Sequence, residues 1–201
     1  MNNFKIKSYC KINLNLNVLK KLNNGYHDIS SLITFCNLHD VISIQKTKNL
    51  NDEVTFSGKF KKNINKKLNT ITKVLNLLRN KKLLKNQSFK IKIEKNIPHG
   101  SGLGGGSSNA AYLLNYLNYK LKLKLSNKKK ENLARKVGFD VPISLEKRNT
   151  FLSGKNGKIL RFNNKFNLNL LIVYPNLVCS RKNIFEKNKK RSLLKQIPFF
   201  Y

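Results

Sequence analysis

Acidic side chains are what this sequence has least of. Nine aspartates and glutamates face 41 lysines and arginines over 201 residues, a formal net charge of +32. Such a balance points first to nucleic acid. The basic residues, however, are spread through every segment together with abundant Asn and Ile, and no single arm gathers them. The composition is therefore read as drift, with a general attraction for anions such as nucleotides as its physical consequence and nucleic acid not expected as a partner. Cysteine is also sparse: Cys10, Cys36 and Cys179 stand far apart with no Cys-x-x-Cys pair. Neither a zinc site nor a disulfide framework is indicated, and reduced thiols in a cytoplasmic protein are expected. Three scattered histidines make no metal site. Long apolar runs are missing as well. The longest, Leu170 to Tyr174, falls far short of the roughly twenty residues a membrane span needs. Lys5, Lys7 and Lys11 interrupt the N-terminus, so no signal-peptide core is expected.

What is present is enough for a core, with 40% hydrophobic residues. Five of the ten glycines fall between Gly100 and Gly106, closed by Ser107 and Ser108. Ahead of them Phe89, Ile91 and Ile93 alternate with Lys90, Lys92 and Glu94, which predicts a strand. Behind them Asn109 to Leu117 predicts a helix that Ser107 or Ser108 can cap. Strand, glycine loop and helix N-terminus together bind phosphate, through free backbone N–H groups, the helix dipole and close backbone approach. Three common phosphate loops do not match. No acidic residue stands about twenty positions on, as a dinucleotide fold requires. Gly106 runs into Ser107 without the lysine of a P-loop, and the loop opens a helix instead of joining two strands as in protein kinases.

Elsewhere, alternation from Phe4 to Val18 predicts one strand or a pair, with Lys11 and Asn13 on the polar face. Asn24-Gly25 is a hairpin turn signal. Strands are expected at Ile29–Leu38, Val41–Gln45, Val54–Phe60, Phe151, Ile159–Phe162 and Leu168–Tyr174. Helical spacing is expected at Ile71, Val74, Leu75 and Leu78, and a short basic helix over Lys128–Val137 ending at Gly138. The class is α+β, with an antiparallel sheet and interleaved helices.

The glycine stretch reads Pro-x-x-x-Gly-Leu-Gly-x-x-Ser-Ser-x-Ala-Ala and resembles the signature loop of the GHMP small-molecule kinases. Its triple glycine with Ser-Ser-Asn-Ala-Ala is similar to the diphosphocytidyl kinases within them. Three further segments agree in family order. Ser8-Tyr9-Cys10-Lys11-Ile12-Asn13-Leu14 resembles Ala-Pro-Ala-Lys-Ile-Asn-Leu, Gly25-Tyr26-His27-Asp28 resembles Gly-Tyr-His-Glu, and Gly138-Phe139-Asp140-Val141-Pro142 matches Gly-Ala-Asp-Val-Pro.

The resemblance implies a GHMP N-terminal domain that binds ATP over residues 1–165, and a cytidine-diphosphate-linked alcohol as substrate. It places ATP against Pro98, His99, Gly100, Ser101, Gly102, Leu103, Gly104, Gly105, Gly106, Ser107 and Ser108. Ser107 or Ser108 can reach Mg²⁺ or a phosphate oxygen. It makes Asp140, one of four aspartates, the general base, kept ionised by a nearby Lys11. Substrate contacts fall on Asn13, Tyr26 and His27, the aromatic ring stacking on cytosine and the imidazole bonding its edge. Ser101 replaces a usual glycine, and Arg181 follows Ser180 where the family has Thr. The family continues with a second Gly-Thr-Gly loop, whereas no glycine follows Gly157. Residues 166–201 are therefore expected to be a remnant of the C-terminal domain. Another GHMP kinase, for a sugar or homoserine, and a nucleotide- or RNA-binding remnant without turnover are the competing readings. Gly25-Tyr26-His27 argues against the first, and an ATP-dependent turnover assay separates the second.

Overall fold

The fold follows from a computed structural model that describes residues 4–21, 27–154, 157–164 and 166–174. The chain divides into two compact units, one of residues 1–11 and 36–147, the other of residues 12–35 and 148–201. Two strands, β1 (Phe4–Asn13) and β3 (His27–Thr47), contribute residues to both.

In the first unit, β3 pairs antiparallel with β5 (Ser88–Glu94) from Val41↔Glu94 to Thr47↔Ser88. β4 (Glu53–Ser57) runs parallel to β5 on its other edge. A parallel pair needs a crossover, and α1 (Thr70–Asn80) supplies it. Asn69 caps α1 by accepting from the Ile71 and Thr72 amides, while the Thr72 hydroxyl accepts from the Asn69 amide. The helix buries Ile71, Val74, Leu75 and Leu78, the expected stripe. Phe89, Ile91 and Ile93 of β5 are buried between exposed Lys90, Lys92 and Glu94. These side chains form one core with Ile42 and Ile44 of β3, Leu113, Leu114 and Leu117 of α2 (Gly105–Lys120), and Leu133 and Val137 of α3 (Asn127–Val137). Ser126 caps α3, and the Gly138 amide bonds back to the Ala134 carbonyl at its end.

In the second unit, β2 (Asn17–Lys21) pairs antiparallel with β3, with a register shift between Val18 and Lys20. β6 (Asn149–Ser153) pairs with β3 through Ser31↔Leu152 to Ile33↔Thr150, and with β7 (Lys158–Phe162).

The α+β class holds. Three expectations change. The strands at Ile29–Leu38 and Val41–Gln45 are one strand, because His39-Asp40 makes no turn and the Asp40 side chain bonds elsewhere. The sheet, expected to be antiparallel, is mixed, because the Val54 strand runs parallel to β5. Leu168–Tyr174 forms no strand among the described residues: Leu171 and Val173 are 91% and 78% exposed. A continuous apolar strand needs an edge partner and cover on both faces, and neither is described for it. The Asn24-Gly25 turn lies outside the described residues. No helix among the described residues is long and apolar enough to cross a membrane.

Candidate functional site

The loop between β5 and α2 is held open by glycine. Gly100, Gly102 and Gly104 have φ of 72°, 80° and 70°, a region L side chains rarely adopt. Inside the loop Ser101 donates from Oγ to the Pro98 carbonyl at 2.9 Å, so the residue that replaces a glycine has a local role. Helix α2 begins after Gly104, and no side chain caps it. This corrects the expected cap: Ser107 and Ser108 lie within the first turn, and the left-handed Gly104 is the N-cap. The first intrahelical bond described runs from the Ser108 amide to the Gly104 carbonyl at 2.8 Å. The amides of Gly105, Gly106 and Ser107 precede it, at the positive end of a 16-residue helix dipole.

The two serines differ. Ser108 is fully buried, its hydroxyl 3.0 Å from that of Ser144 in the 3₁₀ turn Ile143–Leu145. Ser107 is half-buried at the first turn, so of the two it is the hydroxyl with access to a bound group. Thr70 at the start of α1 donates to the Gly106 carbonyl at 2.7 Å, joining the two helix starts.

Lys11 reaches this loop from β1. Its amide donates to the Leu103 carbonyl at 3.0 Å. Its side chain lies so close under Gly104 that a Cβ there would stand 2.8 Å from the Lys11 Cγ. Lys11 is only 6% exposed, although alternation assigned it to the polar face. A buried lysine needs a counter-charge, and Asp140 provides one: Lys11 Nζ and Asp140 Oδ2 are 4.0 Å apart. Asp140 is 8% exposed, in the loop between α3 and the 3₁₀ turn. The Ser108–Ser144 contact ties that turn to α2. Glycine loop, helix start, Lys11 and Asp140 thus converge in the first unit.

Asn13 belongs to the second unit, where its Nδ2 donates to Ser31 Oγ at 2.6 Å. His27 opens β3, and Tyr26 lies outside the described residues. Next to Lys11, burial pushes the Cys10 thiol up, with Cys36 Sγ 3.1 Å away; both thiols are free. Among the described residues no three His, Cys, Asp or Glu side chains cluster to hold a metal.

Sequence reasoning missed a second buried charge pair. Asp40, fully buried, accepts from Lys95 Nζ. Its only signal in the sequence is that carboxylates are scarce.

Comparison with known proteins agrees with this geometry. Residues 69–148 match the model of the GHMP kinases N terminal domain. A 4-diphosphocytidyl-2-C-methyl-D-erythritol kinase of Pelagibacter ubique is 44% identical over 93% of this chain and 66% of its own length. One of Francisella philomiragia is 35% identical over 98% of this chain and 72% of its own. A crystal structure of 4-(cytidine 5'-diphospho)-2C-methyl-D-erythritol kinase superposes with a TM-score of 0.63 at 26% identity, over 79% of this chain and 55% of that one. The chain thus spans just under two thirds of the first relative's length.

Proposed function

The chain belongs to the 4-diphosphocytidyl-2-C-methyl-D-erythritol kinases, a branch of the GHMP kinases, and from that premise we propose that it is itself a cytoplasmic, ATP-dependent kinase for the 2-hydroxyl of that cytidine-linked alcohol. The observation that carries the reading is the placement of one lysine. Lys11 lies under Gly104 at the mouth of the glycine loop and 4.0 Å from the carboxylate of Asp140.

Phosphoryl transfer asks for an anion cradle, positive charge against the phosphates, and a group that takes the proton of the attacking hydroxyl. The amides at the start of α2 and the left-handed glycines form the cradle. They let the backbone itself contact phosphate oxygens, and the helix dipole adds a fixed positive end. Lys11 faces both this cradle and Asp140, so one cation opposes the phosphate charge and the carboxylate charge. Asp140 accepts the hydroxyl proton as the substrate oxygen attacks the γ-phosphorus. The bond from that phosphorus to the bridging oxygen breaks, and ADP leaves. The positions of Lys11 and Asp140 are set by β1 and by the packed loop after α3, so little reorganisation is needed at the moment of transfer.

Mg²⁺ fits as a companion of the nucleotide, because the site offers a serine hydroxyl instead of a three-residue cage. Ser107 would hold it together with the phosphates, and it would neutralise charge as the γ-phosphoryl departs. Tyr26 and His27 are proposed to read the cytosine, and Asn13 to contact the substrate.

The test supplies the full chain with ATP, Mg²⁺ and 4-diphosphocytidyl-2-C-methyl-D-erythritol. ADP release should require the alcohol and match, mole for mole, a new phosphomonoester seen by phosphorus NMR. ADP release that ignores the alcohol, or none at all, contradicts the reading.

A further inference from the structure

The carboxylate of Asp40 sits at the crossing of four donors. Oδ2 accepts from Lys95 Nζ and, at 2.9 Å, from Asn109 Nδ2. Oδ1 accepts from the amides of Asn96 and Ile97, each at 2.8 Å. Asp40 is 0% exposed, Asn109 2% and Lys95 4%. Asn96 and Ile97 immediately precede Pro98, where the glycine loop begins, and Asn109 lies in the second turn of α2, where it ends. One side chain therefore grips both ends of the loop. The helix start packs directly on this cluster: a Cβ on Gly105 would stand 3.0 Å from Ile97 Cγ2 and 3.3 Å from Lys95 Nζ.

We propose that Asp40 is the positioning residue of the phosphate cradle, fixing the span and direction of residues 98–104 through Asn96, Ile97 and Asn109. Lys95 plays a subordinate part. It supplies the charge that lets a carboxylate with this many acceptor sites be buried at all. A carboxylate suits the task because its two oxygens accept from both flanks at once, and charge-assisted bonds hold geometry more stiffly than neutral ones. A glycine loop, with its large conformational freedom, gains most from anchors at its ends. The inference rests on the kinase reading for its consequence in ATP binding, while the anchoring itself can be measured without ATP.

Single substitutions at this cluster leave a buried charge unpaired and tend to unfold the protein, so the test uses two double variants in the full chain, both without the charges. In Asp40→Asn/Lys95→Met, the amide oxygen at position 40 still accepts from Asn96 and Ile97. Its nitrogen can donate to Asn109 Oδ1, which has no hydrogen-bond partner among the described residues. In Asp40→Leu/Lys95→Met, none of these bonds can form.

Hydrogen exchange is the first readout. The Leu variant should exchange faster than the Asn variant in residues 96–109, with α3 and β6 protected alike in both. The second readout is binding, by titration with ATP and, separately, with the cytidine substrate. The Leu variant should bind ATP about tenfold or more weakly than the Asn variant, an affinity difference near the value of one hydrogen-bonded anchor. Binding of the cytidine substrate should differ little between them. Equal exchange of residues 96–109 in the two variants overturns the proposal. So does weakening of ATP and cytidine substrate by the same factor, the mark of a merely structural role. If the unmodified chain binds no ATP, the kinase reading fails, and the exchange comparison alone decides the role of Asp40.

Discussion

Two lysine–aspartate pairs are buried in the same unit, and they are built differently. Lys95 and Asp40 are in direct contact, and three further donors complete the carboxylate's coordination. Lys11 and Asp140 stand 4.0 Å apart, beside the glycine loop. Both bury charge at a cost that only a partner offsets. A carboxylate saturated by four donors has no capacity left for a proton or a substrate, and can only hold geometry. The Lys11–Asp140 pair stands farther apart, at the edge of a loop that leaves helix amides uncapped. On the proposed reading one acid shapes the cradle and the other acts in it, although both are scarce acids paired with lysine.

The sharpest way to break this comparison is Asp140→Asn. The amide cannot accept the hydroxyl proton, and general-base catalysis contributes roughly 10²–10⁴-fold. Turnover should fall by that order while the Kd for ATP changes little. Wild-type turnover would make Asp140 a turn former.

Next comes the core on which both pairs rest. Leu114→Ala, at a side chain 1% exposed, should cost about 2–5 kcal/mol in urea unfolding through transfer and cavity terms. Turnover of the molecules still folded should remain near normal, because no site residue is touched.

The glycines sharpen the comparison further. Gly104→Ala and Gly102→Ala each place a Cβ at positive φ, which costs an L-residue about 1–2 kcal/mol. Only at Gly104 does that Cβ meet Lys11; at Gly102 nothing lies within 4 Å. Steady-state kinetics should show Gly104→Ala impairing turnover as well as ATP affinity, with Gly102→Ala confined to affinity. For the same reason Gly104→Val disturbs Lys11 as well as the nucleotide, and it cannot isolate the cradle. The smallest effect belongs to an exposed pair. Arg135 donates to Glu131 one turn away on α3, with both side chains about a third exposed. Glu131→Ala should change stability by only about 0.3–0.5 kcal/mol, less in high salt.

Much of this was legible in the sequence, for physical reasons. The glycine loop, the alternating β5 and the stripe of α1 are local patterns, set by two or four residues of spacing. Lys11 and Asp140, and their nearness, were expected from segments that resemble a kinase family, and no local pattern in either segment carries that approach. Alternation placed Lys11 outward because a period of two knows only the strand's faces, and here the polar face is covered by the loop it serves. The helix start was misread because serine is a strong cap, whereas the chain's left-handed turn at Gly104 makes the helix begin at Gly105, four residues before Asn109. The Asp40 cluster is wholly non-local: its donors come from residues 95, 96, 97 and 109, and a lone Asp after His39 looks like a turn residue. The apolar run at Leu168–Tyr174 shows the reverse failure, since β-propensity expresses itself only where an edge and a covering layer exist.

The most direct test of the division between the two pairs is a crossed measurement of kcat and ATP Kd on Asp140→Asn and on Asp40→Leu/Lys95→Met. The account predicts opposite signatures: kcat lost with Kd preserved in the first, and Kd raised by about tenfold or more in the second. The same signature in both variants, whichever it were, would contradict it.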